Sequence, residues 1–282
     1  MECSHLPKRL SLLALLSAVV LTSLRVFHLK NSLDSDGLLP PQSKVLLITV
    51  LACAGFFLAL MVLCLKLNRL PGTESCFSQG GVWGLPKLVA AALLLAGSVL
   101  LLQDQELLAD SRKCGVTIAG AVSALAMGWS VYASKHGAGL FWLRLLPALF
   151  TVAGLILRFR IWSHDPLIIH IVPFLLAWVC CTMETMLLTG FPLGAGHRRS
   201  TVLFGLSAGM FSCMSIADYL VGQKTESGEA LTLLGLAIWS VCAALELLQP
   251  RVQEEQPAND ETQNPGEEAV PHSDEDSAET PL

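Results

Sequence analysis

Charge is scarce in this sequence. Only 15% of its 282 residues are Asp, Glu, Lys or Arg and 53% are hydrophobic, whereas a soluble domain carries about a quarter charged residues. The expected solvent is therefore a lipid bilayer. Clustered Lys/Arg stripes are missing, which argues against nucleic acid as a partner. Familiar catalytic signatures are missing too: the chain has no G-x-x-x-x-G-K-[ST], no H-E-x-x-H and no Rossmann glycine pattern. That lowers the expectation of an enzyme without removing it, because an intramembrane site is assembled from single residues on different spans. There is also no C-x-x-C, so thioredoxin-like and simple zinc chemistry lack their usual signal.

The apolar residues are gathered into runs. A helix needs roughly 20 mostly apolar residues to cross the hydrocarbon core, and eight runs of that size occur: Leu10–Phe27, Val45–Leu67, Leu85–Leu102, Gly115–Tyr132, Leu140–Ile161, Leu167–Leu188, Thr201–Val221 and Ala230–Leu248. Breaker-rich segments separate most of them, at Asn31–Pro41, Asn68–Gly84, Gln103–Lys113, Ser163–Pro166 and Gly190–Arg199. Trp83, Trp142 and Trp162 fall at span ends, where an amphipathic ring suits the headgroup level. The expected fold is all-α: a polytopic transmembrane bundle of about eight spans over residues 1–250, followed by an acidic tail at 251–282. Lys8 and Arg9 ahead of a short Leu-rich run also fit a signal peptide. No small-x-small cleavage site follows and Arg25 comes early, so the run is read as a span. Aligning Arg25 with Arg158 also matches Leu12, Leu13, Leu16 and Val19 with Leu145, Leu146, Leu149 and Val152, which leaves a 4+4 repeat open.

Ten of the 23 acidic residues lie in the tail, where Arg251 is the lone Lys or Arg. The tail therefore carries a net charge of −9 and the rest of the chain +4. A Pro-, Glu- and Asp-rich segment cannot bury enough surface to offset ordering entropy, so Val252–Leu282 is expected to be disordered. It offers a surface for a cytoplasmic protein, and its last three residues, Thr280-Pro281-Leu282, resemble a carboxylate-capture ligand. Counting basic residues near span ends places both termini in the cytoplasm. Asp34, Asp36, Asp104, Glu106, Asp110, Asp165, Glu226 and Glu229 then face outside.

Ionisable groups inside spans cost about 2.5–3.5 kcal/mol each at mid-membrane on the milder scales, so each is a candidate functional residue. Arg144 and Arg158 lie 14 residues apart, close to four turns, and share a face of span 5 with Pro147, Thr151 and Gly154. His170 and Glu184 share a face of span 6 by the same spacing, with Ala177 and Cys181 between them. Span 7 carries Ser207, Phe211, Met214 and Asp218 along one stripe. Depth pairs Arg144 with Glu184 near the inner end and Arg158 with Asp218 near the outer end. The expected site is thus a ligand-binding set of Arg144, Arg158, His170, Glu184 and Asp218 among spans 5 to 7, with Pro147 and Pro173 kinking their helices. The alternative is a set of static ion pairs that fix helix register.

Six cysteines, Cys53, Cys64, Cys180, Cys181, Cys213 and Cys242, sit inside apolar runs as small buried hydrophobes. Cys76 and Cys114 fall on opposite sides of the membrane and could not pair. A soft-metal set of Cys180, Cys181, Met183, Met210, Cys213 and Met214 would suit Cu(I) by atom type, but Cys and Met are also ordinary fillers of helix interfaces. No cofactor is expected. Small residues four apart, Gly120, Ala124 and Gly128 in span 4 and Gly205 and Gly209 in span 7, predict close helix packing.

Leu146-Pro147-Ala148-Leu149, Arg158, Asp165-Pro166 opening a span, Gly190-Phe191 with Gly194 closing it, and Ala217-Asp218 give the segment Arg144–Asp218 a further reading. It resembles uncharacterised multi-span membrane proteins common in anaerobic Gram-positive bacteria. Those proteins tend to have an aromatic residue before the Arg and Asn before the Pro, where this chain has Leu157 and Asp165. The resemblance implies a multi-span fold in a bacterial cytoplasmic membrane and brings no activity with it. Three functions follow as expectations: binding or passage of a small solute or ion, a sensor or scaffold working through the tail or Arg198-Arg199, and a lipid-modifying enzyme with Glu184 or Asp218 as acid or base.

Overall fold

The computed structural model describes residues 6–31, 44–67, 71–72, 77, 82–103, 110–134, 141–163, 168–221 and 226–249. The tail and its expected disorder, together with Thr280-Pro281-Leu282, lie outside the described residues. Eight long helices follow the eight apolar runs: α1 (Leu6–Asn31), α2 (Lys44–Leu65), α3 (Gly84–Leu102), α4 (Ser111–Ser134), α5 (Phe141–Trp162), α6 (Ile168–Leu188), α7 (Arg198–Leu220) and α8 (Ser227–Leu248). Each is long and apolar enough to cross a membrane. Leu12, Leu47, Leu51, Leu125 and Ile156 all keep more than half of their surface exposed. Such a coat would be an aggregation hazard in water and is the proper surface against acyl chains. The chain is a multi-pass membrane protein.

Helices α3, α4, α5, α6 and α8 pack in sequence around a closed ring, with α8 returning to α3. Helix α7 lies across the seam between α6 and α8, and α1 and α2 pack against α7. Burial follows that order: α7 and α8 are mostly enclosed, whereas α2 is almost entirely peripheral. Small residues set the close approaches. A Cβ on Gly97 of α3 would meet Thr232 Oγ1 at 2.6 Å and Gly228 O at 2.7 Å, and one on Gly235 of α8 would meet Ala90 O at 2.7 Å. The Gly205 and Gly209 pair does what its spacing predicts, since Cβ atoms there would strike Ser240 O and Val241. Gly120 likewise lies against Ser98 and Phe150.

The α6–α7 connection ties helices together at one end of the bundle. Gly194, at φ 70°, ends a short 3-10 turn (Phe191–Leu193) in a conformation that a side chain disfavours. The next residues form β2 (Gly196–His197), which pairs antiparallel with β1 (Pro71–Gly72). Arg198 then donates to Leu247 O at 2.8 Å, and Arg199 to Leu67 O at 2.6 Å. Both arginines thus satisfy carbonyls at or just beyond helix C-termini, where cations are favoured. Helices α5 and α6 run on through Pro147 and Pro173.

Candidate functional site

The interior of the ring holds a cavity of about 60 Å³ at the end where α3 and α5 begin and α4, α6 and α8 finish. This is room for a few water-sized groups. Lys87 of α3, Arg144 of α5 and Glu246 of α8 line it, together with Ser130 of α4 and Thr185 of α6. Lys87 and Glu246 form an ion pair. The Arg144 guanidinium lies 4.6 Å from the ring centre of Phe77 and donates to Leu188 O at 3.4 Å. Phe77 is also 5.4 Å from the Lys87 ammonium and packs edge-on against Phe191, so one aromatic ring sits between the two cations of the mouth.

Beneath the cavity the α5–α6 interface is polar. Thr151 and Thr185 share a hydrogen bond of 2.8 Å, and Thr182 donates to Trp178 O and Thr151 O. Glu184 is wholly buried, and its Oε2 accepts from Ser240 of α8 at 3.1 Å. Further along, Phe150 meets Trp178 edge-on and Phe174 lies tilted against it. Arg158 closes the far end, lying 3.9 Å from the Trp178 ring centre and 3.2 Å from a Glu229 oxygen.

One of the two pairings expected from depth, Arg158 with Asp218, is therefore corrected. Arg158 pairs with Glu229 of α8, and Asp218 of α7 pairs with Arg25 of α1 through hydrogen bonds of 2.6 and 3.2 Å that use both carboxylate oxygens. Arg144 and Glu184 do occupy the same end of the bundle, but the hydrogen bond to Glu184 comes from Ser240. The cavity also departs from spans 5 to 7, because α7 contributes nothing to its lining while α3, α4 and α8 do. The side chain of His170 lies outside the described residues.

Sequence reasoning missed Lys87 and Glu246 as site residues. Lys87 lies near the start of its apolar run, where a charge is not conspicuous, and Glu246 is an in-span acid whose signal was available. The soft-metal set is not brought together: Met183 and Cys213 turn to the outer surface while Cys180, Cys181, Met210 and Met214 are buried. No cluster of three His, Cys, Asp or Glu side chains fit for a metal occurs among the described residues.

The fold and the cavity define a class, the multi-pass helical membrane protein with charged side chains gathered inside the bundle. No protein family, curated protein or solved structure matches the chain at a significant level.

Proposed function

We propose that this chain binds or passes a small solute or ion through the ring of α3, α4, α5, α6 and α8, in a bacterial plasma membrane with both termini cytoplasmic. The cavity between Lys87, Arg144 and Glu246 is then the cytoplasmic mouth. One observation carries the reading: charged side chains from three different helices converge on a space inside an apolar bundle. Bringing charges out of water is costly, and an architecture with only a packing role is better served by closing on them. Membrane sites of this kind give a ligand the groups that complete it.

The sensor or scaffold reading loses one of its two handles, since Arg198 and Arg199 serve helix carbonyls at the bundle end. The enzyme reading loses Asp218, whose two oxygens are both taken by Arg25. The test is thermal melting of the detergent-purified full chain against a panel of ions, metals, amino acids, sugars and lipids. A ligand of the folded state at about 100 times its Kd stabilises by about 2.7 kcal/mol. The expected result is a shift with at least one compound that disappears in Arg144→Gln. A shift unaffected by Arg144→Gln, or none across the panel, would remove the cavity as a binding site.

A further inference from the structure

Four acidic side chains lie within the described helices: Glu184, Asp218, Glu229 and Glu246. Three of them meet a cation at contact distance, in the pairs Arg25–Asp218, Arg158–Glu229 and Lys87–Glu246. Glu184 is the exception among them. Its Oε2 has the Ser240 hydroxyl, its Oε1 has no hydrogen-bond partner, and none of its surface is exposed. A buried carboxyl group in that position lacks both the hydration and the contact ion pair that would stabilise an ionised form. It is nonetheless next to open space. Thr185, the following residue, lines the cavity, and so do Trp239 and Ala243, which flank Ser240 on α8.

We infer that Glu184 and Ser240 form a proton-binding site behind the cavity, and that its proton enters and leaves through that cavity. The charged and titratable groups around it are few. Lys87 of α3 and Arg144 of α5 act on it through space. Helix α6 adds Cys181, one turn away, and Cys180, while α8 adds Cys242 and Glu246. Helix α7 carries no charge from Ser200 to Ala217, and its Cys213 is exposed. Loading the site makes the cavity wall more positive by one unit, whatever its total charge. An anion in the cavity and a proton on Glu184 therefore favour each other, and a cation and that proton oppose each other. With Lys87 and Arg144 against Glu246, the charged side chains of the wall sum to one positive unit, and the ligand class that fits is a small anion taken up together with a proton.

This inference rests on the cavity being a solute site, but its own test is separate. Infrared difference spectra of the full-length protein in lipid bilayers, recorded over the pH range in which it stays folded, read the C=O stretch of a protonated carboxyl group directly. The expected result is one reversible band that titrates, is lost in Glu184→Gln and changes frequency in Ser240→Ala, which keeps the carboxyl group and removes its hydrogen bond. Ser240→Ala serves even where Glu184→Gln fails to fold. No titrating band in the wild type, or a band indifferent to Ser240→Ala, overturns the inference. A band that behaves as expected while the melting panel gives no ligand upholds the proton site and sinks the solute reading; a ligand without the band does the reverse.

Discussion

The α1–α7 seam and the five-helix ring both bury charge in the membrane, and they do so in opposite ways. At the seam, Arg25 and Asp218 join through two hydrogen bonds, so that the carboxylate has both oxygens occupied and the pair is complete in itself. In the ring, Lys87, Arg144 and Glu246 stand around a cavity, and Glu184 behind it has one oxygen unmatched. The same residue types thus serve two ends. A bidentate pair fixes how two helices meet, whereas a buried carboxyl group with one oxygen unmatched, close to open space, leaves an interaction for a proton to make.

The sharpest way to break this contrast is at the seam. Removing one partner of a buried pair strands the other, so Asp218→Asn should destabilise the protein by about 3–5 kcal/mol in detergent melting. The double change Arg25→Met with Asp218→Leu should recover most of that loss, because an apolar contact of similar volume replaces the pair. Neither should alter which compounds shift the melting temperature. If Asp218→Asn instead left stability intact and abolished ligand shifts, the site would belong to α1 and α7.

A smaller effect is expected where the ring closes. In Gly97→Ala the new Cβ would press on the Gly228 and Thr232 backbone of α8, which cannot rotate away, and the cost should be about 1–3 kcal/mol with weaker ligand shifts. Gly55→Ala on α2 meets nothing within 4 Å, so it should be neutral or stabilise by about 0.5–1 kcal/mol through helix propensity. A loss at Gly97 with no loss at Gly55 would show that the ring, and not glycine content, sets stability. Two losses of the same size would show that it does not.

The eight spans were legible because a run of about 20 apolar residues has few other uses. Arg144, Arg158, Glu184 and Asp218 stood out for a related reason, since a charge in such a run is conspicuous. Their partners were not legible, because depth alone cannot tell neighbours apart. Arg25, Arg158, Asp218 and Glu229 all lie near one end of their helices, and two acids and two arginines at one level allow two pairings. Choosing between them requires knowing that α1 packs on α7 and that α5 and α8 belong to one ring, which long-range packing decides. The α3–α8 seam was hidden for a different reason. Gly97 shares its helix only with Gly84, thirteen residues earlier, and Gly228 and Gly235 are seven residues apart, so no four-residue spacing of glycines announces them, although their close approach builds the ring.

The smallest expected effect separates the wall of the cavity from its support. Thr151 and Thr185 share one hydrogen bond across α5 and α6, but only Thr185 lines the cavity. Interhelical hydrogen bonds of this kind average about 0.6 kcal/mol in a membrane, so Thr151→Val and Thr185→Val should each cost about that much in melting. The hydroxyl left behind keeps a bond within its own helix in either case, Thr185 to Cys181 O and Thr151 to Ala148 O, which holds the losses small and similar. Binding should tell them apart. Thr185→Val removes a hydroxyl from the wall beside Glu184 and should weaken the ligand-induced shift, whereas Thr151→Val leaves the wall intact and should preserve it. Equal effects on binding would mean that the ligand senses only the stability of the α5–α6 pair, and the cavity wall would lose Thr185 as a contact.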